Sequence, residues 1–286
     1  MTGRRRLSGA AALVLTSALL GASCGSGSSG SGPGGVAAPP PDATVTYAPD
    51  LTVDLYLPTE TGRAPLVVLV PGGSWQTADP SGLAGLAAGL AERGIVAATA
   101  HIRAAEDDVT YPLPVEDVLC AVASVAADSR AKGFRPSRVV VLGHSSGAHL
   151  AALAVLAFDD FDPACSSPVV EPDALIGLSG PYDVSRMSDE ASALLGSDPD
   201  EDAATWQAAN PVERAALRPD VPVLLMHGED DDMVAVDFTT QFADALEAAG
   251  HPTTVELVPD VDHLGIFAAD VAVEPIAAWL GSPGAA

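Results

Sequence analysis

The sequence predicts an α/β domain, a mostly parallel β-sheet with helices on both faces. Three observations carry that prediction. Residues 66–70 and 139–142 are unbroken runs of Leu and Val, the mark of strands covered on both faces. Runs of this kind alternate along the chain with Ala/Leu-rich stretches of helical length, the order expected when helices carry the chain back to start the next parallel strand. Between 139–142 and the Ala/Leu-rich 148–157 stands Gly143-His144-Ser145-Ser146-Gly147, a G-x-S-x-G pattern on a strand-to-helix corner.

Taken in order, residues 44–47 and 51–57 alternate in polarity around the turn pair Pro49-Asp50 and are expected as two antiparallel edge strands. The buried strand 66–70 leads at once into Pro71-Gly72-Gly73-Ser74-Trp75. A helix over 81–93, a strand over 95–100 and a helix over 114–132 follow, then the elbow and its helix, then a strand at 174–178. Residues 183–220 are acidic and irregular, an insert with a helical turn or two that is too short to form a large lid. A strand at 221–226, a helix at 236–249, a strand at 253–258 and a last helix ending near Leu280 complete the domain.

Composition narrows the function classes. The 286 residues hold 13 Lys and Arg against 38 Asp and Glu, a formal net charge of −25. Nucleic acid is excluded as a partner, because phosphate binding needs clustered cations. The same balance opposes adsorption to an anionic bilayer and binding of polyanionic substrates. It fits solubility outside the cell.

Residues 1–24 read as an export signal. Arg4, Arg5 and Arg6 form a positive start, 7–20 is apolar but too short to span a bilayer, and small residues precede Cys24. The pattern is similar to a bacterial lipoprotein signal, with Cys24 as the lipid-carrying terminus and the only link to a membrane. Leu20 stands four residues before Cys24 where three is usual, so simple cleavage and secretion is the alternative. Residues 25–43 are a Gly/Ser/Pro tether, and 44–283 form the folded domain. Cys120 and Cys165 then remain, to pair in an oxidising compartment or to stay as two separate buried thiols.

The elbow carries the chemistry. A serine held on a sharp corner between two glycines is exposed to a substrate, and the Ser146 backbone N–H and the helix dipole point at the reacting carbonyl. Ser145 is therefore the expected nucleophile. The bland alternative is a Gly/Ser-rich connection without chemistry. No metal site is expected, because Asp230-Asp231-Asp232 lacks the spacing of a calcium loop, and no phosphate loop or dinucleotide fingerprint calls for a cofactor.

The motifs together resemble a known family. They are Asp54-Leu55-Tyr56-Leu57-Pro58, Gly72-Gly73-x-Trp75, Ile102-Arg103, Tyr111-Pro112 leading to Asp117, and Gly143-His144-Ser145-Ser146-Gly147-Ala148-His149-Leu150. Leu194-Leu195-Gly196, Asn210-Pro211, His227-Gly228 and His263 follow in the family's order. The chain resembles the small esterases of the α/β-hydrolase fold, in the subgroup with bacterial feruloyl-esterase-like and kynurenine-formamidase-like enzymes. Proline stands at position 71, where the family usually has histidine. The resemblance implies a serine hydrolase with no cofactor and a small-molecule ester substrate, its triad in the order Ser, acid, His.

Of the six histidines, only His251 and His263 lie beyond the acids 229–232. Gly250-His251-Pro252 reads as a surface turn, and His263 stands where the family places its base. The family pattern counted from His227-Gly228 puts the acid at Asp231, with Val234 as the matching apolar residue. It also places oxyanion donors at the backbone N–H groups of Gly73 and Ser74, beside Ser146. His144 and His149 are expected to pack around the elbow and His227 to be structural. Two other functions stay open: an arylformamidase-type amide hydrolase, and a non-catalytic binding protein on the same fold.

Overall fold

A computed structural model describes residues 39–282. Cys24, the signal and most of the tether lie outside the described residues. The apolar runs become strands β1 (Ala43–Ala48), β2 (Leu51–Tyr56), β3 (Arg63–Val70), β4 (Val96–Ala100), β5 (Arg135–His144), β6 (Ala174–Leu178), β7 (Val223–Gly228) and β8 (Thr253–Val258). Between and after them lie α1 (Ala84–Glu92), α2 (Leu113–Ala131), α3 (Ser146–Leu156), α4 (Ser188–Leu195), α5 (Ala203–Ala208), α6 (Pro211–Arg214), α7 (Val236–Ala249) and α8 (Ala269–Leu280). The strands form one sheet in the order β1-β2-β4-β3-β5-β6-β7-β8. β2 pairs antiparallel with β1 and β4, and every other pairing is parallel. This is the α/β-hydrolase fold.

Strand alternation builds two cores from one sequence run. Val67, Leu69, Val140 and Leu142 pack with Leu86 and Leu90 of α1 and Ile276 of α8. Leu66, Val68, Val139 and Val141 turn the other way, toward Leu119 of α2, Leu153 of α3 and Phe242 of α7. Because both faces of β3 and β5 are covered over residues 66–70 and 139–142, each Val or Leu buried there stabilises the sheet by about 1.5–3 kcal/mol.

Three expectations need correction. Only β1 is an edge strand of the expected pair, because β2 lies between β1 and β4. The insert is more helical than a turn or two: after a 3-10 turn at Val184–Arg186 it holds α4, α5 and α6. Local caps explain this. Gly196 ends α4 in the left-handed conformation, the Asp202 side chain accepts from Thr205 N–H, and Asn210 accepts from Val212 N–H with Pro211 at the first helical position. The fold also reaches slightly into the stretch read as tether, since Asp42 N–H bonds Leu55 O and its carboxylate accepts from Leu57 N–H.

Cys120 of α2 is joined by a disulfide to Cys165, in the connection after α3. It ties that long irregular connection to the body of the sheet. The chain after each of β3, β5, β7 and β8 then converges at the carboxyl end of the sheet, where open α/β sheets bind ligands.

Candidate active site

Ser145 occupies the corner between β5 and α3 with φ 54° and ψ −129°, a conformation L-residues rarely adopt. The flanking glycines make that corner possible. A Cβ at Gly143 would stand 2.2 Å from the Gly147 carbonyl oxygen, and one at Gly147 would stand 2.3 Å from the carbonyl oxygen of Pro71. The corner is thus clamped between its own helix and the loop after β3. The helix begins at Ser146, whose N–H belongs to the first helical turn and has no partner within the helix.

One hydrogen-bonded chain crosses the site. Ser145 Oγ lies 2.9 Å from His263 Nε2, and His263 Nδ1 lies 2.7 Å from Asp231 Oδ2. The other carboxylate oxygen, Asp231 Oδ1, accepts from the N–H groups of Met233 at 3.0 Å and Val234 at 2.8 Å. Burial alone would raise the Asp231 carboxyl. The Val234 N–H and His263 outweigh it and hold the group below the ordinary carboxylate range, so it is ionised at neutral pH. Asp230 and Asp232 are exposed on the same loop. This arrangement has what acyl transfer requires: a hydroxyl, a base in contact with it and a carboxylate orienting that base.

Beside Ser145 and His263 opens a cavity of about 260 Å³, floored by Gly72, Gly73 and Ser74 and walled by Leu83, Leu264 and Phe267, with Met233 at its mouth. Leu264 and Met233 are 59% and 60% exposed, an apolar rim that sequence patterning did not single out. Among the described residues, no backbone acceptor takes the N–H of Gly73 or Ser74. Ser146 is not among the residues lining this cavity; it lines a second, small one together with Trp75 and Leu150. No group of three or more His, Cys, Asp or Glu gathers to hold a metal among the described residues.

The remaining histidines divide by burial. His144 bonds the His263 carbonyl through Nε2 at 2.9 Å and touches the Phe267 ring, bracing the loop that carries His263. His149 is fully buried behind the elbow. His227 Nε2 lies 2.9 Å from Val234 O and 3.1 Å from Asp231 Oδ2, a second imidazole against the carboxylate that the sequence did not reveal. His251 is not in a surface turn: it is buried, with ring nitrogens 2.9 Å from the carbonyls of Val221 and Ala215. His101 is exposed.

Burial lowers three of these imidazoles, His144, His149 and His227, and so makes stability pH-dependent. Burial lowers His144 from 6.5 to about 4, helped by the neighbouring His263 charge, and burial lowers His149 to about 4. Between pH 6.5 and 4 the unfolded chain binds protons at these positions and the folded chain does not. Stability should therefore fall through that window, by up to about 3 kcal/mol per histidine. Urea midpoints at about pH 7, 5.5 and 4.5 check this, and equal midpoints would contradict it.

The BD-FAE family model matches residues 53–246, more than half of the chain. The chain belongs to the BD-FAE family. This BD-FAE domain is 30% identical to the isoprenylcysteine alpha-carbonyl methylesterase ICME of Arabidopsis thaliana, over 76% of the chain and 55% of that protein. It is 27% identical to the probable carboxylic ester hydrolase LipM of Mycobacterium tuberculosis, over 71% of the chain and 50% of that protein. The chain thus spans about half the length of these curated relatives. Among solved structures, the acetyl ester-xyloside bifunctional hydrolase from Caldicellulosiruptor lactoaceticus superposes with a TM-score of 0.70 at 23% identity, covering 86% of the chain and 98% of that protein. A propionate-bound thermophilic esterase from Thermogutta terrifontis gives 0.66 at 24% identity, covering 80% and 86%. These two likenesses show the fold.

Proposed function

We propose that this chain is an exported serine hydrolase that cleaves short-chain or aryl carboxylic esters through an acyl-enzyme intermediate. The observation that carries the reading is the Ser145–His263–Asp231 chain of hydrogen bonds opening on an apolar-walled cavity of about 260 Å³. The ester-hydrolysing relatives support the bond type, and the propionate held by the Thermogutta terrifontis esterase supports a short acyl group. Lining by Leu83, Leu264 and Phe267, with the carboxylate of Asp79 and no lysine or arginine, supports a substrate that carries no negative charge.

In the first half-reaction Ser145 Oγ attacks the ester carbonyl carbon while His263 Nε2 takes the hydroxyl proton. The carbonyl π electrons move to oxygen, and the N–H groups of Gly73, Ser74 and Ser146 receive that oxyanion. Collapse breaks the bond to the alcohol, which leaves with the proton from His263. Water then repeats the sequence on the acyl-serine, releasing the carboxylic acid and restoring the Ser145 hydroxyl.

Export through residues 1–24, with lipid on Cys24, completes the proposal; several acyl chains would be needed for stable anchoring. One experiment tests both parts. Cells expressing the full chain are treated with a fluorophosphonate probe and fractionated, and the adduct is located by mass spectrometry. The expected result is a membrane-fraction protein labelled at Ser145, which turns over aryl acetates faster than formylkynurenine. Absence of label at Ser145 overturns the hydrolase reading. Labelled protein in the soluble fraction without added lipid mass overturns only the anchor.

A further inference from the structure

The loop from β3 that floors the cavity follows a costly path. Gly73, Ser74 and Trp75 have φ of 145°, 53° and 59°, three left-handed residues in succession. For Ser74 and Trp75 this costs on the order of 1–3 kcal/mol each, so the path persists only where something outside the loop holds it. Its backbone has two such ties: Ala105 N–H to Trp75 O and Glu106 N–H to Gln76 O, both 3.0 Å. The third is a side chain. Trp75 Nε1–H donates to His149 Nδ1 at 3.1 Å, with the two rings edge to face. His149 Nε2 in turn lies 2.8 Å from the carbonyl of Ala209, between α5 and α6 of the insert.

That pairing fixes the imidazole chemistry. A carbonyl only accepts, so His149 Nε2 carries the proton and Nδ1 presents its lone pair to the indole. The imidazole is fully buried and its ring lies in the first turns of α3, four residues after Ser145. Burial keeps it neutral, which this tautomer requires. Since α3 also supplies the Ser146 N–H, His149 registers the two sides of the hole against each other.

We propose that His149 is a positioning residue for the oxyanion loop, accepting the Trp75 N–H while anchored on Ala209 so that the Gly73 and Ser74 N–H groups stay aimed at the reacting carbonyl. This rests on the serine-hydrolase reading above, and wild-type turnover and labelling are its independent control. It acts through Trp75 and touches no substrate.

The test is steady-state kinetics on an aryl acetate with Trp75→Phe, His149→Phe, the double variant and His149→Asn. Removing an oxyanion donor outright lowers kcat by about 10²–10³, and a loosened loop should fall below that. Each phenylalanine single variant should lose on the order of 30-fold in kcat with KM nearly unchanged, and should react with fluorophosphonate more slowly to a similar degree. The double variant should be no worse than the poorer single, because both remove one contact. His149→Asn, whose Oδ1 replaces the Nδ1 acceptor, should recover most of kcat. Full kcat with only a lowered Tm in the singles, additive losses in the double, or no recovery in His149→Asn would each overturn the proposal. Should His149→Phe fail to fold, Trp75→Phe and His149→Asn still decide it. Inactive wild type would instead overturn the underlying serine-hydrolase reading.

Discussion

Ser145→Ala should abolish ester turnover, by on the order of 10⁴-fold or more, while leaving the fold intact. The expectation separates what the hydroxyl does from what the backbone does. The strained corner is set by Gly143 and Gly147, whose missing Cβ atoms make room for neighbouring carbonyls. The Ser145 N–H bonds the carbonyl of Leu178, and its own carbonyl accepts from Ala148 N–H. Alanine keeps all of these bonds. The hydroxyl has one side-chain partner among the described residues, His263 Nε2, so its loss removes a reacting group and one hydrogen bond. The effect on stability should stay within about 1 kcal/mol. Turnover of an aryl acetate and thermal melting, measured on the same preparation, give the result. Activity within tenfold of wild type would remove Ser145 from the mechanism.

Much of this fold is legible in the sequence because burial on both faces leaves a direct trace. The Val/Leu runs of β3 and β5 have no alternative place to go than the middle of a parallel sheet. The elbow is legible for a steric reason, since the spacing of Gly143 and Gly147 reflects carbonyls 2.2 and 2.3 Å from where side chains would begin. What escapes depends on partners distant in the chain. Gly250-His251-Pro252 has the composition of a turn, yet the ring is buried by the carbonyls of Ala215 and Val221. The insert helices are 8, 6 and 4 residues long, too short for a periodic pattern to stand out, and α5 and α6 stand on the caps Asp202 and Asn210. β2 alternates like an edge strand, but periodicity carries no strand order. The contact between Trp75 and His149 spans 74 positions, so each motif was visible and their hydrogen bond was not.

Asp231→Asn should lower kcat by on the order of 10⁴-fold, as for the corresponding change in other triads, while Asp230→Asn and Asp232→Asn should each cost less than about tenfold. The four consecutive acids, Glu229 to Asp232, look equivalent in composition, and only geometry separates them. Asp231 Oδ1 accepts two backbone N–H groups and Oδ2 faces His263 Nδ1, whereas Asp230 and Asp232 are exposed. An asparagine at 231 must keep its one carbonyl oxygen on the Met233 and Val234 N–H groups. Its NH₂ then points at His263. A donor there forces Nδ1 to act as acceptor and moves the imidazole proton to Nε2, the nitrogen that must receive the Ser145 proton. The base is present in the wrong tautomer, and the negative charge that would stabilise its protonated form is gone. The same NH₂ meets the His227 Nε2–H at 3.1 Å, a donor against a donor, so a modest drop in Tm should accompany the loss. The solvated carboxylates at 230 and 232 orient nothing and exert only a weak field through water. Kinetics of the three single variants on one neutral ester decide the matter. Near-normal kcat in Asp231→Asn with a dead Asp230→Asn or Asp232→Asn would shift the acid by one residue and break the hydrogen-bonded chain on which the proposed mechanism stands.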